Sequence, residues 1–176
     1  AGPVFSAAVI LNSNINTNVI KDSKKFSFKK RILISDYIKK NSIFSVGIAN
    51  VKEIEKMNIL NASLLSMKRA IDKLKIKPSL VYIDGIFIPE NINIKCETFI
   101  KGDESISCIS AASIVAKVSR DLFMINLAKK YPKYYWHKNF GYGTRDHLFG
   151  LKKFGVTKHH RKKFKPVHKI LLQNKH

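Results

Sequence analysis

The stretch that decides the fold is Lys101–Asp121, KGDESISCISAASIVAKVSRD. It opens on a Lys-Gly-Asp turn and then runs, without Pro or Gly, through small and apolar residues. The pattern predicts a helix from about Ser107 to Lys130. Ile109, Ala112, Ala116, Phe123 and Leu127 recur at helical spacing and read as its buried stripe. Ser110, Ser113, Lys117 and Asp121 lie three and four apart and share another face. Hydroxyls, an ammonium and a carboxylate in one row suit a phosphate and a metal. On an isolated helix such a row is more often solvated than functional, so its meaning depends on what surrounds it. The small Ala111, Ala112 and Ala116 let this helix lie close to a sheet.

Strands and helices alternate on either side of that stretch. Upstream, CETFIK (96–101) and LVYID (80–84) read as strands, the second ending on a carboxylate beside Gly85. Before them, Asn50 with Glu53 makes an N-x-x-E helix start, and a helix follows to about Leu74 with a break near Asn58. IFSVGIA (43–49) reads as a strand. Ser27 is placed to cap a helix from Phe28 to Lys40. PVFSAAVILN (3–12) reads as a further strand. Downstream of Pro132 come the aromatic-rich loop YYWHKNFGYGT, a helix capped by Thr144 to about Phe154, and a strongly basic tail. The alternation predicts an α/β sheet flanked by helices, in a single domain over 1–176. Residues 1–130 supply the sheet and core helices, and 131–176 a basic helical part.

The chain of 176 residues carries 33 Lys+Arg against 12 Asp+Glu, a net charge of +21. That excess favours a polyanion, most simply nucleic acid, bound more weakly as salt rises. Lys, Ile and Asn are all abundant, so part of the charge reflects composition rather than a binding face. Cys96 and Cys108 lack metal-ligand spacing and read as free thiols of a reducing, cytoplasmic compartment. No apolar run reaches membrane-spanning length, which argues against a membrane partner.

Asp84 is placed where open α/β sheets bind ligands, beyond a strand end. With Asp121 it offers oxygen ligands for Mg²⁺ or Mn²⁺. A strand-ending Asp that merely caps a turn is the plainer alternative, and Asp103, in a turn, favours that structural role. Asp22-Ser23-Lys24-Lys25, beside a helix start, suits a phosphate or is simply a solvated basic segment. Tyr142, between two glycines, is either a ring for stacking on a sugar or base, or a core plug. His159-His160, within a basic run, reads as phosphate-facing or solvated.

The order of motifs AGPV…AAVIL, DSKK, the helix Asn58–Ala70, IDG, KGD, ISAASIVAKVSRD, GYGT and HHRKKF-PV resembles bacterial ribonuclease HII over residues 1 to 167. The resemblance implies a ribonuclease H-like fold, a five-stranded mixed sheet flanked by helices with a helical C-terminal part. It implies a monomeric, Mg²⁺- or Mn²⁺-dependent endonuclease acting on the RNA strand of RNA–DNA hybrids. It also implies cutting 5′ to single ribonucleotides embedded in duplex DNA, leaving 3′-hydroxyl and 5′-phosphate ends. Asp84 and Asp121 become metal-binding catalytic acids, and Tyr142 the ring against the deoxyribose at the RNA–DNA junction. Ser23, Lys24, Lys25, Lys101, Ser113 and Lys117 fall in motifs along the phosphate path.

The sequence departs from the family pattern in places. Asp-Glu-Ala-Gly-Arg-Gly, expected just ahead of AGPV, would lie upstream of Ala1 together with the first, central strand. The chain opens on Ala1 rather than Met, and the expectation is a natural protein that extends upstream. Asn139-Phe140 stands where His-Lys is usual, removing a phosphate contact, and Ile86 stands where Asn is common. The rival reading is a non-catalytic nucleic-acid-binding remnant. Carboxylates discriminate, because Asp84 and Asp121 repel a phosphate unless a cation intervenes.

Overall fold

A computed structural model of the chain describes residues 1–20 and 26–173. In chain order the elements are β1 (Val4–Leu11), α1 (Phe28–Lys40), β2 (Ser42–Ala49), α2 (Val51–Asp72), β3 (Leu80–Asp84), β4 (Lys95–Phe99), α3 (Gly102–Ser105), α4 (Ser107–Lys130), α5 (Trp136–Asn139), α6 (Arg145–Phe154) and α7 (Lys165–Gln173). Among the described residues the strands form two ladders, β1 with β2 and β3 with β4, where the resemblance implies five strands in one mixed sheet. β3 and β4 run parallel, in register from Leu80 opposite Lys95 to Asp84 opposite Phe99.

Local chemistry sets the helix starts. The Ser27 hydroxyl accepts from the Lys30 amide at the head of α1. At the head of α2, Asn50 Oδ1 accepts from the Glu53 amide (3.0 Å) and Glu53 Oε2 from the Asn50 amide (2.7 Å), a reciprocal capping box. The expected break in α2 is real: Asn58 sits at φ 73°, ψ 175°, and its Oδ1 caps the following turn through the Asn61 amide. Thr144 Oγ1 caps α6 through the His147 amide.

The chain parts into two compact units. One comprises Phe5–Ile48 and Ser63–Val118. Its core joins Ile34 and Ile38 of α1 to Ala111, Ile114, Val115 and Val118 of α4, with Ala7, Val9 and Val46 of β1 and β2 packed against them. Burying one such branched side chain contributes about 1.5–3 kcal/mol. This corrects part of the expected stripe of α4. Ala112 and Ala116 are only half-buried, Phe123 is 39% exposed, and Ser110 is buried with its hydroxyl donating to Ile20 O. Ile109 of the stripe is buried and Leu127 packs on a core cluster, but between them the covered positions are Ala111, Ile114, Val115 and Val118.

The other unit comprises Ala1–Val4, Ala49–Ala62 and the chain from Ser119 onward. It holds two small cores. Met124, Ala128, Tyr134 and Trp136 pack with Leu127, Tyr131 and Phe140, and Ala49, Ile54 and Ala62 pack with Val4 and Met57.

In the first unit β2 is pressed onto α2. A Cβ at Gly47 would lie 1.9 Å from Ser66 O and 2.5 Å from Ala70 N, both backbone atoms. Neighbouring hydroxyls fasten the same contact, with Ser45 Oγ donating to Ala70 O and Ser6 Oγ 2.6 Å from Ser66 Oγ. Gly47→Ala is therefore expected to lower stability by about 1–3 kcal/mol or more, since backbone cannot step aside as a side chain can. Urea unfolding measures it, and an unchanged midpoint would contradict the close approach.

Candidate active site

The sequence-expected residues fall into two sets, one in each unit. In the first, Asp84 ends β3 and is exposed. Its Oδ1 accepts from the Gly102 amide (3.0 Å), while the Gly85 amide donates to Phe99 O (2.8 Å). The Lys-Gly-Asp turn is shaped for that bond. Lys101 is left-handed at φ 55°, and a Cβ at Gly102 would meet Ile109 Cδ1 at 2.6 Å and Phe99 Cβ at 3.0 Å. Lys101 itself is exposed. Asp103 sits in the first turn of α3, a structural position. On α4, Ser113 is exposed and Lys117 half-buried, one turn apart. Ser23, Lys24 and Lys25 lie outside the described residues.

In the second unit, Asp121 is fully buried in α4. A buried carboxylate is tolerated only beside compensating charge or donors. Arg120 Nη1 lies 3.9 Å from Asp121 Oδ1, and Arg120 Nη2 donates to Ala1 O (3.2 Å). The same guanidinium lies 4.9 Å from the centre of the Tyr142 ring, which is 54% exposed. Tyr142 is thus a surface ring and not a core plug. A second arginine, Arg161, donates from Nε to Gly2 O (2.8 Å) and from Nη2 to Pro3 O (3.3 Å). Burial, and then the charge of Arg120, lowers the Arg161 pKa to about 10. Two glycines allow this crowding: Cβ atoms at Gly2 and Gly141 would meet Met124 Sδ at 2.4 Å and Met124 Cε at 2.8 Å.

Behind Tyr142 lies a chain of buried polar groups that the sequence did not reveal. His147 Nδ1 is 2.8 Å from Tyr142 O, and its Nε2 lies 3.0 Å from Trp136 Nε1 and 3.1 Å from His160 Nε2. His160 Nδ1 accepts from the Thr157 amide (3.0 Å). His160 is therefore not solvated or phosphate-facing, as its basic neighbours implied: it is 1% exposed. Asn139 likewise faces inward. It donates to Tyr134 O and accepts from the Gly141 amide (both 2.9 Å), so its side chain braces the loop.

The ribonuclease HII family model matches residues 1–169. The chain belongs to the ribonuclease HII family. It is 58% identical to the ribonuclease HII of Pelagibacter ubique over 97% of this chain and 91% of that protein. It is 45% identical to that of Roseobacter denitrificans, over 99% and 88%. Among solved structures, ribonuclease H2 from Pyrococcus horikoshii aligns with a TM-score of 0.80 at 21% identity, covering 99% of this chain and 94% of that one. The ribonuclease HII of Archaeoglobus fulgidus, solved with PCNA, aligns with a TM-score of 0.72 at 20% identity over 93% and 88%. These two establish the ribonuclease H-like fold. Membership makes the chain an enzyme of the ribonuclease H kind.

Donor set and acidity can be read from the same geometry. Carboxylates such as Asp84 and Asp121 are hard oxygen donors of the kind Mg²⁺ and Mn²⁺ take. Among the described residues no group of three or more His, Cys, Asp or Glu is gathered to hold an ion. Each aspartate, taken singly, has the oxygen chemistry a divalent cation accepts.

Burial, and then the neighbouring His147, pushes the His160 pKa from 6.5 to about 3. The unfolded chain takes up this proton first. The stabilisation from a neutral His160 is complete above pH 6.5 and falls as pH drops toward about 3, by about 1.4 kcal/mol per pH unit for one proton. Unfolding free energy measured from about pH 6 to about pH 4 is expected to fall less steeply in His160→Gln than in the parent. Parallel profiles would show that His160 charges equally in both states.

Proposed function

We propose that this ribonuclease HII relative is a divalent-cation-dependent endonuclease that hydrolyses the RNA strand of RNA–DNA hybrids. It also cuts 5′ to single ribonucleotides embedded in duplex DNA, leaving 3′-hydroxyl and 5′-phosphate ends. It acts as a cytoplasmic monomer in replication and repair. The observation that carries this reading is the family match over residues 1–169, with Asp84 exposed at the end of β3.

Asp84 and Asp121 are the carboxylates that hold Mg²⁺ or Mn²⁺. Bound there, the cation supplies Lewis-acid chemistry, activating water and offsetting charge on the departing 3′-oxygen. The protein's own groups do the rest. Gly102 fixes one oxygen of Asp84, so that carboxylate does not have to be ordered when substrate arrives. Lys101, Ser113 and Lys117 line the phosphate path, joined by Ser23, Lys24 and Lys25. The Tyr142 ring, open to solvent on the Arg120 guanidinium, packs on the deoxyribose at the RNA–DNA junction. The 2′-hydroxyl is the group that tells RNA from DNA.

Asp84→Asn removes a ligand charge but not the shape. In the full-length protein it should abolish cleavage of a duplex carrying one ribonucleotide while leaving binding of that duplex largely intact. Turnover retained within tenfold, or binding lost together with activity, would speak against the metal role and for a plain phosphate-binding protein.

Tyr142→Ala should slow cleavage at a single ribonucleotide more than cleavage of a long hybrid, because stacking contacts of this kind are worth about 1–3 kcal/mol. Kinetics on the two substrates side by side decide it, and equal slowing would remove the junction role.

A further inference from the structure

Tyr142 has an exposed ring on a backbone that is held from behind. Its amide donates to Asn139 O (2.9 Å), and its carbonyl accepts from the Thr144 amide (2.8 Å) and lies 2.8 Å from His147 Nδ1. The protons in this chain can be assigned from groups that have no choice. A carbonyl only accepts, so His147 carries its proton on Nδ1 and leaves Nε2 as an acceptor. The indole Nε1 of Trp136 only donates, and it points at that Nε2. The Thr157 amide only donates, so His160 Nδ1 accepts and His160 Nε2 carries the proton, directed at His147 Nε2 as well. Two donors therefore converge on His147 Nε2, and both select the tautomer that donates to Tyr142 O. Trp136 is wholly buried, stacks on Tyr134 at 5.1 Å, and meets His147 and His160 at 5.9 and 5.3 Å, so neither imidazole has room to turn.

We propose that His147, set in this tautomer by His160 and Trp136, is a positioning residue for substrate: through the Tyr142 carbonyl it fixes the Tyr142 ring, and so governs recognition of a lone ribonucleotide. The inference rests on the reading of Tyr142 as a junction contact. Physically, a ring held in place gives up less freedom on binding, and small displacements of a positioning group weaken recognition severalfold. The plainer alternative is that the histidines only fill the core of their unit. That role would lower stability and harm both substrates alike.

Kinetics of the full-length protein on a single-ribonucleotide duplex and on a long RNA–DNA hybrid separate the two. His147→Leu should raise KM on the single-ribonucleotide duplex about tenfold, the order expected from losing one hydrogen bond, with kcat little changed and the hybrid much less affected. His147→Asn, whose amide can donate from the Nδ1 position, should recover most of that loss and guards against a misfolded leucine variant. Adding His147→Leu to Tyr142→Ala should cost nothing further. Additive losses, or equal losses on both substrates, would overturn the proposal. A fluorotyrosine at position 142, followed by ¹⁹F NMR, tests the positioning apart from activity. Its resonance should shift in His147→Leu and return in His147→Asn, and an unmoved resonance would also overturn it. If Tyr142→Ala alone leaves junction cleavage unchanged, the junction reading fails, while the resonance still decides whether His147 positions the ring.

Discussion

A carboxylate sealed inside a helix is the constraint on which the second unit depends. Removing a carboxylate from water costs several kcal/mol unless charge and donors accompany it. Asp121 has no exposure, and Arg120 is brought beside it at 3.9 Å. Arg120 in turn must be held, and it reaches back to the Ala1 carbonyl and lies against the Tyr142 ring. Arg161 takes the next two carbonyls of that segment. The glycines at 2 and 141 are small because Met124 of the same helix occupies the space their side chains would need. Arg120 thus lies between Asp121, the opening segment and the glycine-flanked tyrosine, with Arg161 on the same segment.

The first unit solves a different problem with the same residue type. Asp84 is exposed, so it needs no counter-charge, yet its position is fixed by a backbone donor. Gly102 sits close against Phe99 and Ile109, where a Cβ would force the Ile109 side chain to shift. The left-handed Lys101 turns the chain sharply between β4 and α3. The parallel register that sets Asp84 opposite Phe99 brings the strand end and the turn together.

Much of this was legible in the sequence wherever the cause is local. Ser27, the Asn50–Glu53 pair and Thr144 announced helix starts, and Asn58 announced a break, because caps and kinks are decided within four residues. The motif order was legible in the same way, and it named the family. What failed depends on distant partners. The middle of the buried face of α4 was misread, since apolar residues adjoin the expected stripe and only α1 and β1 reveal which of them are covered. His160 looked solvated among Lys158, Arg161 and Lys162. Its burial follows from Trp136, His147 and Thr157, which no spacing rule connects. Arg120 is one of many cations in a chain of net charge +21, and only the structure shows it lying beside the buried Asp121 carboxylate.

That last distinction bears on catalysis against mere binding. A basic protein that only grips phosphates lowers its energy by removing acids from its surface, because each repels the ligand. Here one aspartate is exposed with an oxygen held by the Gly102 amide, and another is buried beside an arginine. Neither arrangement improves affinity for a polyanion. A turn cap accounts for the bond that the first accepts from the Gly102 amide. A core ion pair would explain the second, but apolar residues of similar volume fill cores at least as stably. An acid of either kind approaches a phosphate without repelling it only when a cation stands between them.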